Sequence, residues 1–522
     1  MYQALLIFKY LTSKVMPLLA AAAVMLCTAM VLIVWSVMGG FLVMLLGSGR
    51  TLMGDVSITW PVIGFGHYGE LIDRLEADPM VAAATPIVET IGSLSLPDGR
   101  ISMVLVNGID GPGYARVTGY EDSLWWKPLA APLPKDKDRR DWRLEDPDGD
   151  AGFWKRAYQD GLALSKQDEA TGVSRPAAVL GIELSSFNRR DPGGWYQPLH
   201  WDVRAEDGSI RLETGPTFIL KRTVTLNVIP LTRQGRSVNS VARVLPVANE
   251  FKSGVFDIDA KKMFIPLATL QEMLKMDQAG RVAPPIDPYE LEIGEDGEET
   301  FIEAEPTAIA PARVTSVLVR AKDGVSPEAL KDQVRAVYVA FERDHKGQVP
   351  HADRGGIHIQ TWREAQGVMV AAVEKETLLV LFILWFISLV ASVLILAIFW
   401  AMISEKTKDI GILRSMGASK GGIAGLWLIY GLVIGLIGSA LGLGVAHAIV
   451  WNINPIHEWM GRALNVQIWN PEIYYFTLIP SRVRPDHAAI VFAAGVGFSV
   501  LGALIPAVRA ANMDPVRSLR FE

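Results

Sequence analysis

Four stretches of this 522-residue chain carry no charged side chain: residues 15–49, 377–404, 421–457 and 487–508. Each is at least as long as the ~20 residues a bilayer-spanning helix needs. That argues against a soluble protein. The expected layout is a tail (1–14), a first span (15–46), a large polar block (47–372) and a second span (373–403). A short connector (404–420), a third span (421–451), a loop (452–486), a fourth span (487–508) and a tail (509–522) follow. The first apolar stretch is far longer than the ~7–15 residues of a signal-peptide core, so it is expected to stay in the chain.

Charge sets the expected orientation. The first tail holds Lys9 and Lys14 without an acid. The connector holds Lys406, Lys408, Arg414 and Lys420 against Glu405 and Asp409, and the last tail Arg509, Arg517 and Arg520 against Asp514 and Glu522. Short positive segments stay on the cytoplasmic side, so both termini and the connector are expected there. Residues 51–373 hold 36 Lys+Arg and 47 Asp+Glu, and this acidic block is expected outside the cytoplasm.

Within that block, Val56–Trp60, Ile101–Asn107, Thr223–Val228 and Val314–Arg320 are rich in β-branched residues and predict strands. Tyr68–Leu75, Leu267–Met276 and Pro327–Glu342 show helical periodicity. The fold class is therefore an α-helical membrane protein with four transmembrane helices and a large α+β extracytoplasmic domain between the first two. Residues 131–150 are dense in Pro and charge, and 283–306 hold nine acids. Both read as solvated loops, because neither can bury a core.

Signs of catalysis are few. The chain has no Gly-Lys dipeptide, so no Walker P-loop, and neither HExxH nor GxSxG occurs. The single cysteine, Cys27, excludes a disulfide framework or a cysteine cluster. The net charge of −6 and the lack of a basic run oppose nucleic-acid binding. His345, His351 and His358 are irregularly spaced, so no metal site is expected. His447 lies inside the third span, where a hydrogen bond within the bundle is the simpler reading. In the same span Gly431/Gly435 and Gly438/Gly442 are small-xxx-small pairs, suited to packing within the chain or between subunits.

The connector carries Ile410, Ile412, Leu413 and Met416 among its charges. That predicts a short amphipathic helix with an apolar face to cover, on the membrane surface or against a cytoplasmic partner. Here the sequence resembles a known family. Residues 405–418, Glu-Lys-Thr-Lys-Asp-Ile-Gly-Ile-Leu-Arg-Ser-Met-Gly-Ala, are similar to the coupling segment of the macrolide-efflux/cell-division class of ABC-transporter permeases. Residues 505–520, beginning Ile-Pro-Ala-Val-Arg-Ala-Ala, resemble that class's closing signature. Within the class, Ser36–Phe41, Val104–Asp110, Val179–Leu184, Phe251–Asp259, Met263–Leu267 and Ile473–Pro480 resemble the lipoprotein-releasing (Lol-type) permeases. Gly39 stands where that family has Asn, and the two inserted stretches lengthen the outer block.

The resemblance implies a non-enzymatic permease of the inner membrane. ATP and Mg would bind a separate cytoplasmic ATPase dimer, with no cofactor on this chain. A second permease copy or paralogue completes the complex, and acylated lipoprotein passes to a periplasmic carrier. The implied ATPase-coupling residues are Glu405, Asp409, Ile410, Ile412, Leu413, Arg414, Met416 and Gly417. On that reading, Asp at Ile410 and Leu413 should release the ATPase. Met38, Phe41, Met44 and Leu45 of the first span, with Phe382, Trp385 and Phe386 of the second, would line a cavity for acyl chains, or else face lipid or the bundle core. A basic loop with Arg233, Gln234, Arg236 and Arg243 would dock the carrier. Macrolide-efflux motion transmission and cell-division signalling to a wall hydrolase are the alternative functions.

Overall fold

The computed structural model describes residues 15–128, 152–168, 171–185, 222–231, 239–277, 311–352, 357–365, 367–464 and 478–514, with Trp469 and short pieces within 188–220 and 289–303. The chain divides into two compact units. One comprises Met1–Met44, Met369–Trp469 and Leu478–Glu522; the other comprises Leu45–Val368 and Asn470–Thr477.

The helical unit is built from α1 (Val15–Met53), α2 (Gly367–Glu405), the short α3 (Thr407–Ser415), α4 (Lys420–Trp451) and α5 (Pro485–Ala511). Four of these, all but α3, are long and apolar enough to cross a membrane. Glycine sets their spacing. A Cβ on Gly438 would lie 2.8 Å from the Ala21 carbonyl oxygen, and one on Gly442 2.7 Å from that of Met25, both on α1. On Gly435 it would lie 2.9 Å from Ser499 Cβ of α5. The two glycine pairs therefore seat α4 against two neighbours of its own chain. Ala503, Ala507 and Ala510, from the closing signature and the turn before it, are wholly buried in the same core. The signature is thus a small-residue stripe that lets α5 pack closely.

In the other unit nine strands form one sheet: β1 (Val56–Thr59), β2 (Val81–Ser95), β3 (Ile101–Ile109), β4 (Ala178–Gly181), β5 (Thr223–Val228), β6 (Val241–Phe251), β7 (Lys262–Pro266), β8 (Ser316–Ala321) and β9 (His358–Thr361). Their order is β5-β6-β4-β7-β3-β2-β8-β1-β9, and β5 also pairs with β2. Alternation decides which residues meet the core. Val56, Ile58, Val88, Val104, Val106, Met263, Ile265, Val317 and Val319 share one face, in one core with Leu71, Leu75, Leu330, Val334 and Leu270 of the helices Tyr68–Glu76, Pro327–Asp344 and Leu267–Leu274. The opposite face is covered over part of its area by a second core around Tyr114, Tyr120, Phe251 and Phe264. All seven predicted elements of this block are present, with shifts of a few residues at most at their ends.

The inserted stretch 131–150 lies outside the described residues. The acid-rich stretch 283–306 is more than a loop: Tyr289–Ile293 and Glu299–Glu303 pair antiparallel. Tyr289, Leu291 and Ile293 alternate with Glu290 and Glu292, the period of a strand, and that alternation outweighs the acidic composition.

Candidate functional site

The connector forms α3, closed at its C-terminal end by Gly417 at φ +97°, a left-handed conformation that glycine adopts without cost. Lys406 Nζ donates to Asp409 Oδ2 at 3.0 Å, and Arg414 Nη1 to the Ala418 carbonyl at 3.2 Å. Ser419 accepts from Gly422 N at 3.1 Å and caps α4. These bonds fix the helix between α2 and α4. Its apolar residues then part company. Ile410 is only 3% exposed and belongs to the core of the helical unit, against which Leu413 also packs. Ile412 is 46% exposed and Met416 72%. Lys408, Ile412 and Met416 are four residues apart and fall on one exposed face. Glu405 and Gly417 are exposed beside it. Of the predicted coupling set, Ile410 is therefore internal packing, and Ile412 with Met416 is the apolar surface on offer.

The helical unit also holds a partly open cavity of about 170 Å³ between α1, α2 and α5. Val24, Val31 and Trp35 of α1, Leu384 and Trp385 of α2, and Val491 of α5 line it. Cys27 Sγ donates to Ser388 Oγ at 3.2 Å in its wall. Of the predicted cavity residues, Trp385 alone is in the lining. Met38, Phe41 and Met44 sit further along α1, half-buried, and the side chain of Leu45 lies outside the described residues. Phe382 and Phe386 are 58% and 47% exposed, their rings edge to face at 4.9 Å on the outer side of α2. A helical wheel centred on Leu384 and Trp385 rather than on the two phenylalanines would have found the lining. Gly40, not Gly39, is the constrained member of its pair. Its Cβ would meet Ser481 N at 2.7 Å, whereas nothing stands near Gly39. His447 Nδ1 bonds the Leu443 carbonyl at 2.8 Å, within its own helix.

In the sheet unit, Arg233, Gln234 and Arg236 lie outside the described residues. They fall in the connection of the β5–β6 hairpin, where Val228 pairs with Val241. Arg243 is not in that loop. It sits in β6, and its Nη1 meets Glu272 Oε2 at 2.5 Å, which removes it from the basic set. His345 lies 3.2 Å from Glu70 and His351 2.6 Å from Glu342, so these histidines take separate partners.

Two buried carboxyls stand at the family-like segment Phe251–Asp259. Glu250 accepts from Trp126 Nε1 at 2.7 Å, from Asn188 Nδ2 at 2.8 Å and from Ser185 Oγ. Asp259 accepts from Ser253 N and Oγ, each at 2.7 Å, and from Gly254 N at 3.2 Å. Burial outweighs these donors and pushes both carboxyls up to about 7. The folded chain then holds two protons that the unfolded chain releases across pH ~4–7. Stability of this unit should fall by a few kcal/mol as pH rises through that window, at ~1.4 kcal/mol per pKa unit and group, and level off above it. Urea titrations from pH 4 to 8 would check this, and Glu250→Gln should flatten the slope by about half.

The described residues thus combine four helices long and apolar enough to cross a membrane, a short connector helix with an outward apolar face, and a large α+β unit between the first two long helices. Among known proteins, residues 381–515 match the family described as FtsX-like permease C-terminal. It is 27% identical over 174 residues to the lipoprotein-releasing system transmembrane protein LolC of Neisseria meningitidis, covering 33% of this chain and 42% of that protein. It is 22% identical over 163 residues to LolE of Haemophilus influenzae, covering 31% and 39%. The match thus spans about two fifths of the length of these curated relatives. The periplasmic region of MacB from Actinobacillus actinomycetemcomitans superposes over 61% of this chain and 95% of its own, at 9% identity and a TM-score of 0.27, too loosely to define the fold.

Proposed function

We propose that this chain is the permease subunit of an ATP-driven complex in the inner membrane, with both termini cytoplasmic and the sheet unit periplasmic. In this reading it releases acylated lipoproteins towards a periplasmic carrier. The exposed Lys408–Ile412–Met416 face carries the reading. A connector between two spans gains nothing from displaying isoleucine and methionine to water, and burying them against an ATPase dimer gives the face a purpose. The lipoprotein cargo is supported by the similarity to LolC and LolE.

Extracting an acyl chain opposes ~0.8 kcal/mol per CH₂, so the complex must offer an apolar receptor. The cavity of about 170 Å³ is too small for three chains, because a void of ~150 Å³ takes one benzene-sized guest. The uncovered face of α2, with Phe382, Trp385 and Phe386 about half exposed, would have to complete the receptor with a second permease copy.

A photo-crosslinker at Trp385 in native membranes tests this. The expected result is an adduct with triacylated lipoprotein that disappears when ATP and a soluble carrier are added. Absence of any lipoprotein adduct, with the ATPase still bound, would overturn the cargo and favour motion transmission of the macrolide-efflux or cell-division kind.

A further inference from the structure

The sheet unit contains a second, larger cavity, of about 970 Å³. Small-molecule sites usually span ~300–1,000 Å³. Its floor is the face of the sheet that the second core leaves uncovered. Register puts the floor residues on one side: Glu89 lies opposite Asn107 and Ile91 opposite Leu105 across β2–β3, while Lys262 of β7 lies beside Leu105. Ile229, Leu231, Ile258 and Met276 extend the walls. Ile91 is 63% exposed, and Met103, next along β3 on the same face, is 72% exposed, so the apolar surface runs outward past the cavity.

One end is polar and incompletely satisfied. Asn107 is 1% exposed, and its Oδ1 has no partner among the described residues. Its Nδ2 donates to Glu89 Oε2 at 3.4 Å. Lys262 is half-buried and makes no ion pair among the described residues. Its Nζ lies 6.0 Å from the centre of the Phe264 ring. Burial lowers its pKa, and Glu89 pulls the other way. Arg313, also in the lining, already donates to the Ile63 carbonyl at 2.8 Å. Lysine is thus the cation left to meet a ligand.

We infer that this cavity binds a single-chain anionic amphiphile, its apolar chain along Ile91, Leu105 and Ile229 and its anionic head on Lys262. A half-buried ammonium that makes no ion pair among the described residues is stabilised by a ligand anion, and the apolar walls contribute in proportion to the area they bury. A peptide is the poorer fit. Extended peptides bind by adding to a sheet edge, whereas this floor is the middle of the sheet, where β2, β3 and β7 spend their backbone groups on one another. The inference does not rest on the cargo proposed above.

The test uses the full chain in native membrane vesicles and a palmitate analogue with a mid-chain diazirine, its adducts mapped by mass spectrometry. Label is expected within residues 87–107 or 258–276. Lys262→Gln should reduce it about tenfold, the effect of one charge-assisted bond, and Lys262→Arg should retain it. Glu89→Gln, which removes a competing anion, should increase it. Laurate or lysophosphatidate should compete, and the stronger competitor identifies a carboxylate or a phosphate head. The inference is overturned if label falls only on the four long apolar helices, if Lys262→Gln labels like the unaltered chain, or if Lys262→Arg is lost with it. It also fails if only an acidic peptide competes, which would assign the face to a protein partner.

Discussion

Ile412→Asp combined with Met416→Asp should reduce copurification of the ATPase at least about a hundredfold while the permease still accumulates in the membrane. Both side chains project from α3, 46% and 72% exposed, so an aspartate at either position stays hydrated in the free chain. In the complex each would be desolvated without a partner, at a cost of a few kcal/mol. Ile410→Asp should behave differently. Ile410 is 3% exposed among residues of α1, α2, α4 and α5, so an aspartate there should lower the amount of folded permease itself. Membrane levels and ATPase recovery, measured side by side for the two variants, separate a docking face from a packing face. If the ATPase still copurifies with the Ile412/Met416 variant, α3 is not the coupling helix.

The same contrast shows how far the sequence could be read. Charge-free length is a property of the chain alone, so four long apolar helices could be located, although α1 (Val15–Met53) and α2 (Gly367–Glu405) run several residues beyond the expected spans. The strands were legible because β-branched runs such as Thr223–Val228 alternate core and solvent; Val224, Leu226 and Val228 are at most 1% exposed. What could not be read was direction around a helix axis. Ile410 and Ile412 differ by two positions, 200° apart on a helix of 3.6 residues per turn. Only the neighbouring helices decide which of them is covered. Phe382, Trp385 and Phe386 were all expected inside a cavity, yet only Trp385 lines it, with Leu384, Ser388 and Ala391 of the same helix; the Phe382 and Phe386 rings lie outside. The sheet-face cavity had no sequence signal, because register with β7, far along the chain, brings Lys262 beside the β2–β3 hairpin that holds Glu89 and Asn107.

Gly181→Ala should unfold the sheet unit, although it adds one carbon atom. Gly181 ends β4 and is wholly surrounded. An added Cβ would overlap the Asp259 carbonyl oxygen and lie 2.7 Å from the attached carbon, well inside any van der Waals contact. The obstacle is main chain, so no rotamer change can relieve it. The residue that must move is Asp259, whose carboxylate holds the Ser253–Gly254 loop at 2.7 and 3.2 Å. Displacing it also strips those donors from a carboxyl that is fully buried. Overpacking of a well-filled interior costs ~1–3 kcal/mol, more where the backbone itself is displaced, and loss of a buried polar network adds ~1–3 kcal/mol. Together these approach the ~5–15 kcal/mol that holds a typical domain folded. Gly69→Ala is the matching control. Gly69 is in the helix Tyr68–Glu76 with nothing within 4 Å of an added Cβ, so alanine should be neutral or stabilising by up to ~1 kcal/mol. Limited proteolysis of the two variants in the same membranes should show Gly181→Ala cut rapidly within residues 45–368 and Gly69→Ala at least as resistant as the unaltered chain. Equal resistance of Gly181→Ala would mean that β4 and the Phe256–Lys261 helix can separate without loss of the fold.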